Sequence, residues 1–270
     1  MRPLNKALSF LIRDFRMNVS YRLSFFMSFA KIFVSVAVFF FISRLFGKAV
    51  NPYLAEYSGD YFSYVLIGIA FSGFVTTGMS AFSSSISSAQ SQGTLEAMLV
   101  TPTKLSSIIL FSSLWNYLFN SFNVLVYLVF GWVFFGLSLS RVNIPSALVI
   151  ILLATLSFSG MGVISASFIM VFKRGNPIDW LYGMASSLLG GMFFPAKVLP
   201  VWLQPFAYLV PIFYALRAMR LAVLKGYSIM ALSTEIAALV VFAAIILPLS
   251  FWSFKYAVRE AKTDGSLVTY

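Results

Sequence analysis

Long stretches without any charged side chain make up most of this chain. Residues 61–95 and 105–140 each contain no Asp, Glu, Lys or Arg. Over the 270 residues only 10% are charged and 60% are hydrophobic, whereas a soluble domain carries about 25% charged residues. Such a chain cannot cover a water-facing surface, so the sequence predicts an integral membrane protein. At about 20 apolar residues per helical span, there is room for about six spans.

The predicted fold is an all-α integral membrane protein that forms one domain, 1–270, with six transmembrane helices. The predicted spans are 23–46, 61–88, 105–135, 146–172, 177–194 and 229–256. The fifth span begins at Pro177 because Asn176 is a good N-cap and proline suits the first helical position.

Residues 1–22 repeat apolar side chains at the spacing of one helical face. This pattern predicts an amphipathic helix that lies in the cytoplasmic interface, with Arg13 and Arg16 off its apolar face. The alternative is a cytosolic extension of the first span, since amphipathicity alone does not fix the depth of a helix.

The distribution of Lys and Arg predicts the orientation. The chain carries 19 Lys and Arg against 8 Asp and Glu, a formal net charge of +11. With both termini in the cytoplasm, the inner loops hold more of the basic residues, as the positive-inside rule requires. The cluster Arg217, Arg220 and Lys225 opposes this arrangement. We expect the protein to cross a plasma or inner membrane several times. The positive charge favours membrane lipids as partners, and no nucleic acid is expected.

The residue inventory argues against catalysis and ion coupling. The chain has no Cys and no His, so the commonest metal ligands and general base are missing. It has no Gly-x-x-x-x-Gly-Lys-Ser/Thr loop to hold nucleotide phosphates. A proton-driven carrier needs buried acidic residues or His, and Glu235 is the only candidate. We therefore expect neither an enzyme nor a cofactor bound by this chain.

Residues 91–104, between the second and third predicted spans, predict a short cytoplasmic helix. Gly93 breaks the preceding helix, and Pro102 ends the new one. The apolar face consists of Leu95, Met98 and Leu99. Glu96 is the one carboxylate of this helix. The alternative is a surface helix that lies on the bilayer.

A second irregular segment contains four prolines within seventeen residues, at positions 195, 200, 205 and 211. Prolines at this density exclude one continuous helix, yet the residues between them are apolar and aromatic. Irregular backbone at membrane depth survives only where protein or a water-filled cavity covers it. Residues 195–216 therefore predict a re-entrant segment that enters from the outer side. The alternative is a pair of helices lying flat at the outer interface, with belt aromatics.

Both irregular segments resemble one family, the type-2 (ABC-2) ABC transporter permeases. The loop after the second span of that family is matched by Gln92, Gly93, Thr94, Leu95, Glu96, Met98, Leu99, Thr101 and Pro102. Its extracellular re-entrant segment is matched by Phe194, Pro195, Leu199, Pro200, Trp202, Leu203, Gln204, Pro205, Leu209, Pro211, Tyr214, Ala215, Leu216 and Arg217. The N-terminal interface helix and six spans agree as well, so the resemblance covers essentially the whole chain.

The resemblance implies a permease subunit of an exporter for an amphiphilic, lipid-linked glycan or drug-like substrate. It would pair with a second copy of itself or with a homologous permease, and with two ATP-binding subunits that hold ATP and Mg. By resemblance, the coupling helix contacts the ATPase through Gly93, Thr94, Leu95, Glu96, Met98, Leu99, Thr101 and Pro102. The outer gate would include Phe194, Pro195, Pro200, Trp202, Pro211 and Tyr214. The alternatives are an ion- or proton-coupled secondary transporter and a membrane scaffold without an ATPase partner.

Two further patterns occur inside the predicted spans. Asn116, Asn120 and Asn123 share one face of the third span, which indicates either interhelical hydrogen bonding or a wall of the substrate pathway. Gly183, Ser187 and Gly191 repeat every four residues. Small residues at this spacing let helices approach closely, and the resemblance places this span near the dimer interface.

Overall fold

The computed structural model describes residues 8, 11–13, 15–16, 20–46, 50–57, 60–91, 105–172 and 177–263. The α-helices are α1 (Arg22–Phe46), α2 (Asn51–Leu54), α3 (Tyr61–Ser91), α4 (Leu105–Phe135), α5 (Ile144–Phe172), α6 (Pro177–Leu189), α7 (Gln204–Ala207), α8 (Pro211–Arg220) and α9 (Ser233–Thr263). No strand occurs in the described ranges, so the prediction of an all-α protein is confirmed.

Five helices, α1, α3, α4, α5 and α9, are long and apolar enough to cross a membrane. The predicted fifth span, α6, begins at Pro177 but ends at Leu189 rather than at residue 194. Its 13 residues extend about 20 Å, whereas a bilayer core is about 30 Å thick. The sequence is therefore right about a multi-pass helical protein, and the count of six crossings stays a prediction.

The centre of the bundle is α3, the most buried of the five long helices. It packs against α4 on one side and α5 on the other, and α9 packs on the far side of α5. The crossing of α3 and α5 depends on Gly78 and Gly162, because a Cβ at Gly162 would collide with the Gly78 carbonyl. Ser157 of α5 donates a hydrogen bond to the Leu239 carbonyl of α9 at 3.4 Å. These contacts leave α1 at the periphery.

The prolines of the irregular segment fall at the boundaries of short helical pieces. Pro195 is extended and precedes a 3-10 turn, Ala196–Val198. Prolines also occupy the first turns of α7 and α8, where a missing N–H is tolerated. We call residues 190–210 the proline segment. Its buried residues Ala196, Leu199 and Ala207 pack against Leu189 and Phe213, so the segment is held by protein contacts.

At the opposite end of the chain, Phe15 packs edge-on against Trp115 of α4, with ring centroids 5.8 Å apart. Arg13 and Arg16 are exposed. The apolar side chains Leu8 and Ile12 are exposed as well, as an amphipathic face turned toward lipid requires. The depth of this segment in the membrane stays a prediction.

Candidate functional site

Arg220, at the end of α8, is the most deeply buried charged residue that the structure describes, with 2% of its surface exposed. Its Nε donates a hydrogen bond to the Tyr64 carbonyl, and its Nη2 donates to the Met192 carbonyl, both at 3.0 Å. The guanidinium carbon lies 3.5 Å from the centroid of the Tyr64 ring. A buried cation is stable only where such contacts replace water. Arg220 therefore ties α8 to the start of α3 and to the proline segment.

The neighbouring residues leave space for this guanidinium. A Cβ at Gly68 would lie 2.6 Å from Nη2 of Arg220 and would also collide with the Met192 carbonyl. The Tyr64 hydroxyl donates to the Gly191 carbonyl at 2.7 Å. Gly191 has a φ of +71°, which glycine adopts without strain. The carbonyls of Gly191 and Met192 thus each accept a hydrogen bond from a side chain. They lie just beyond the end of α6, and a helix end leaves carbonyls unpaired.

Glu56, which follows α2, lies at the centre of a charged cluster near Arg220. Its Oε1 accepts hydrogen bonds from Nη2 and Nε of Arg217, at 2.8 and 3.1 Å. Its Oε2 lies 3.2 Å from Nζ of Lys197. Nε of Arg217 is also 3.4 Å from Oε1 of Glu235, in the first turn of α9. The charged cluster, Glu56, Lys197, Arg217 and Glu235, joins the loop after α2, the proline segment, α8 and α9.

The electrostatics of Glu56 show how this cluster is balanced. Partial burial alone would raise the pKa of the Glu56 carboxyl. The nearby Arg217 guanidinium and Lys197 ammonium outweigh that effect and hold the pKa below its ordinary value. Glu56 is therefore ionised at neutral pH and forms ion pairs with two cations that lie far from it in sequence.

These contacts also account for the basic residues that oppose the predicted orientation. Arg217 is paired with two carboxylates, and Arg220 is buried against carbonyls and an aromatic ring. Nζ of Lys225 donates to the Ala55 carbonyl at 3.3 Å. All three side chains serve contacts within the protein, so their positive charge is weak evidence for the side of the membrane on which they lie.

A cleft of about 250 Å³ lies between α3 and α6. We call it the polar cleft after the hydroxyl residues that line it beside apolar ones. On α3 its wall is a row of hydroxyl residues spaced by four, Ser72, Thr76 and Ser80. On α6 it includes Asp179, Gly183, Ser186 and Ser187. At one end, the Ser83 hydroxyl donates to Oδ2 of Asp179 at 2.9 Å. The exposed Thr76 and Ser187 show that the cleft opens away from the bundle. The hydroxyls of Ser72, Thr76 and Ser80 each donate to a carbonyl of α3. Their oxygens can still accept hydrogen bonds, which a covering protein surface or water can donate and lipid tails cannot.

The α6 side of the cleft is little used for packing within the chain. Ser186 is its one buried residue, and a Cβ at Gly183 would meet no atom within 4 Å. Gly183 and Ser187 are both exposed. Gly191 does not extend this row, because the helix ends at Leu189 and Gly191 forms the turn that accepts the Tyr64 bond.

The three asparagines of α4 have different surroundings. Asn120 is buried beside α3, where a Cβ at Gly73 would collide with its amide. Asn116 is exposed and Asn123 is half-buried. None of them lines the polar cleft. Asn120 packs against α3, but its Nδ2 has no hydrogen-bond partner among the described residues, so both the interhelical hydrogen bond and the pathway role stay predictions.

The predicted gate residues also divide by environment. Pro195 and Pro211 are buried, Phe194 and Tyr214 are half-buried, and Pro200 and Trp202 are exposed. The Tyr214 ring packs against Phe242 of α9, with centroids 6.0 Å apart. Trp202 is 70% exposed, which favours an anchoring role for this ring. The gate role itself stays a prediction.

The predicted coupling residues, from Gly93 to Pro102, lie outside the described residues. The sequence reasoning missed Glu56, Tyr64 and Gly68 altogether, and it noted Arg220 only as part of a basic cluster. A carboxylate in a loop, with three cations just before the last span, was the available signal. It could not identify the pairs, because Glu56 and Arg217 are 161 positions apart.

A family model described as ABC-2 type transporter matches residues 9–224, which is most of the chain. None of the curated proteins matches the chain.

Replacing Arg220 tests its role in holding the proline segment. We expect Arg220→Met to lower the free energy of unfolding by about 2–4 kcal/mol, because the Met192 carbonyl loses its charged donor. Lys255→Met, on α9, removes a cation that is exposed and should change the free energy of unfolding by less than about 0.5 kcal/mol. Denaturant titration in detergent micelles measures both. Equal effects of the two substitutions would show that Arg220 has no special role.

The charged cluster predicts a pH-dependent contribution to stability. Folding lowers the pKa of the Glu56 carboxyl below its ordinary value of 4.5. The contribution of Glu56 to the free energy of unfolding is therefore complete above pH 4.5 and is lost as the pH falls through the lower pKa of the folded protein. Glu56→Gln should therefore destabilise the protein by about 1 kcal/mol at neutral pH, a modest effect because the pairs are partly exposed. Melting curves of both proteins should converge below pH 4.5. A difference that stays constant from neutral to acid pH would contradict this role.

Proposed function

Because the chain belongs to the ABC-2 type transporter family, we propose that it is the permease subunit of an exporter driven by ATP hydrolysis in separate subunits. The family match supports a membrane component of a transporter. The polar cleft between α3 and α6 is the observation that carries the further step to a pathway. This cleft combines a row of hydroxyls on α3 with the carboxylate of Asp179 on α6.

The cleft forms one half of the translocation pathway in this proposal. Its hydroxyl row belongs to α3, the best supported helix of the bundle, so this wall is rigid. The opposite wall belongs to α6, which has few contacts within the chain and can move with less disruption. A pathway needs one fixed wall and one mobile wall if it is to open alternately to the two sides of the membrane.

A second copy of the chain, or a homologous permease, covers the cleft. The small, exposed residues Gly183 and Ser187 let another helix approach α6 closely. The exposed apolar side chains Trp180, Leu181 and Met184 surround them and supply area for such a contact. The Gly191 turn is not part of this surface.

Coupling to ATP hydrolysis belongs to residues 91–104, which follow directly from α3. A helix at that position transmits movement of an ATP-binding subunit to the wall of the cleft, because α3 carries the hydroxyl row. Glu96 supplies the charge for that contact, and Leu95, Met98 and Leu99 supply the apolar face. Two ATP-binding subunits, which hold ATP and Mg, complete the transporter on the cytoplasmic side.

The lining of the cleft supports an amphiphilic cargo. The hydroxyls of Ser72 and Thr76 donate to carbonyls of their own helix, so their oxygens can accept hydrogen bonds from a polar group. Val75, Met79 and Ile212 offer apolar contact. A lipid-linked glycan or an amphiphilic drug has both kinds of surface. Export, rather than import, rests on the resemblance of the coupling loop and the proline segment.

Ion coupling is the weaker alternative. Its one candidate, Glu235, is 5% exposed and lies 3.4 Å from Arg217. An acidic residue that carries protons must exchange them during the cycle. The ion pair with Arg217 instead gives Glu235 a structural role within the charged cluster.

Single cysteines test whether a second copy covers the cleft. The chain has no Cys, so Gly183→Cys and Ser187→Cys need no prior removal of thiols. On mild oxidation in membranes, at least one should give a disulfide-linked dimer, because close packing of α6 on its symmetry mate brings the thiols within reach.

Leu152→Cys is the matched control, since Leu152 is 60% exposed on α5. Cross-linking at α6 that is no stronger than at Leu152 would remove the homodimer. A cross-link to a different membrane protein would replace it with a heterodimer.

A further inference from the structure

A second depression, the apolar groove, lies on another side of the bundle and has no role in the proposed transport. It has a volume of about 330 Å³ and runs between α4 and α5. Both helices pack on α3 rather than on each other, so they diverge and leave α3 as the floor. The floor residues Ile67, Phe71 and Phe74 are almost completely buried.

The groove is apolar along its whole length. Ser121 is the one hydroxyl residue that lines it, and its Oγ already donates to the Tyr117 carbonyl at 2.8 Å. Apolar cavities exclude water, and one of about 150 Å³ accepts a benzene ring. A groove of twice that volume accepts a longer apolar group.

The groove opens toward the lipid. Its rims are the exposed side chains Leu125 of α4 and Ile144 and Leu148 of α5. In a membrane protein, acyl chains are the apolar groups that reach such an opening. An empty groove would lose dispersion contacts along its entire floor, so an acyl chain that fills it is stabilised relative to the surrounding lipid.

A basic residue lies at the end of the groove. Val142 lines that end, and the adjacent Arg141 is exposed in the loop between α4 and α5. The loop is held in place, because the Asn143 N–H donates to the Ala222 carbonyl at 3.0 Å. Gly226 packs directly against the Arg141 backbone, with a would-be Cβ 2.5 Å from its carbonyl oxygen. A basic side chain on a backbone that is held beside an apolar groove matches a phosphate attached to an acyl chain.

We propose that the groove between α4 and α5 is a binding site for one phospholipid, with an acyl chain on α3 and the phosphate at Arg141. The site is independent of the proposed transport function, since it shares no residue with the polar cleft. It fills the gap that the divergence of α4 and α5 leaves in the bundle.

Photolabelling tests the proposal. The protein is reconstituted in phosphatidylethanolamine vesicles that contain a trace of a phospholipid with a diazirine in its acyl chain. Labelled peptides are then identified by mass spectrometry. We expect labelling to concentrate on the α4 and α5 segments that line the groove. Even labelling of all lipid-facing helices would overturn the proposal.

Filling the groove gives the first matched pair. Ala147 lines it, and Ala147→Trp should lower labelling of these segments by about tenfold, the effect of about two methylene groups left unburied. Leu152→Trp places the same side chain on an exposed part of α5 outside the groove and should leave labelling unchanged. A melting curve of each variant shows that it is folded. Equal labelling of the two folded variants would overturn the site.

Changing Arg141 gives the second test and needs no change in the groove. Arg141→Gln should lower labelling by the phospholipid probe by about fivefold, the weight of one basic side chain near a membrane surface. A diacylglycerol probe with the same diazirine lacks the phosphate and should label this variant and the unchanged protein equally. An equal loss with both probes, or no loss with either, would remove the phosphate from the proposal.

Discussion

The burial of one guanidinium constrains how the irregular part of this chain can be placed. An arginine side chain stays protonated in proteins, so the charge of Arg220 must be stabilised wherever this residue lies. Its guanidinium donates hydrogen bonds to the carbonyls of Tyr64 and Met192 and lies over the face of the Tyr64 ring. Those contacts fix the end of α8 against the start of α3, and they fix the turn after α6 as well. The charged cluster around Glu56 then connects the same end of the bundle to α9.

The rest of the bundle is complete on some sides and open on others. The apolar surfaces of α1, α4 and α5 face lipid, which is their natural environment. The hydroxyl row of α3 and the small residues Gly183 and Ser187 of α6 are different. They place hydroxyl oxygens and unfilled space on the outer side of the bundle. A monomer in a membrane would leave these surfaces against acyl chains. This mismatch is the physical reason to expect an assembly in which protein or water covers the polar cleft.

The sequence predicts most of the helices, because runs without charge are long enough to be read as membrane helices. It also places the breaks, since prolines at 195, 205 and 211 precede or begin short helical pieces. The prediction fails at the end of α6, because the turn at Gly191 depends on a hydrogen bond from the Tyr64 hydroxyl. It also fails to identify the charged cluster, because those pairs connect distant segments. The steric need for glycine at position 68 becomes visible only when Arg220 is packed beside it.

The rate of ATP hydrolysis tests most directly whether this chain is the membrane part of an ATP-driven transporter. The purified chain in lipid nanodiscs is measured alone and together with the ATP-binding subunit that copurifies with it. We expect no hydrolysis by the chain alone and clear hydrolysis by the complex. We also expect Glu96→Lys to weaken assembly of the complex or to separate hydrolysis from transport, because the substitution reverses the charge of the coupling contact. Hydrolysis by the chain alone, in a preparation free of other ATPases, would show that this chain is not merely the membrane part of such a transporter.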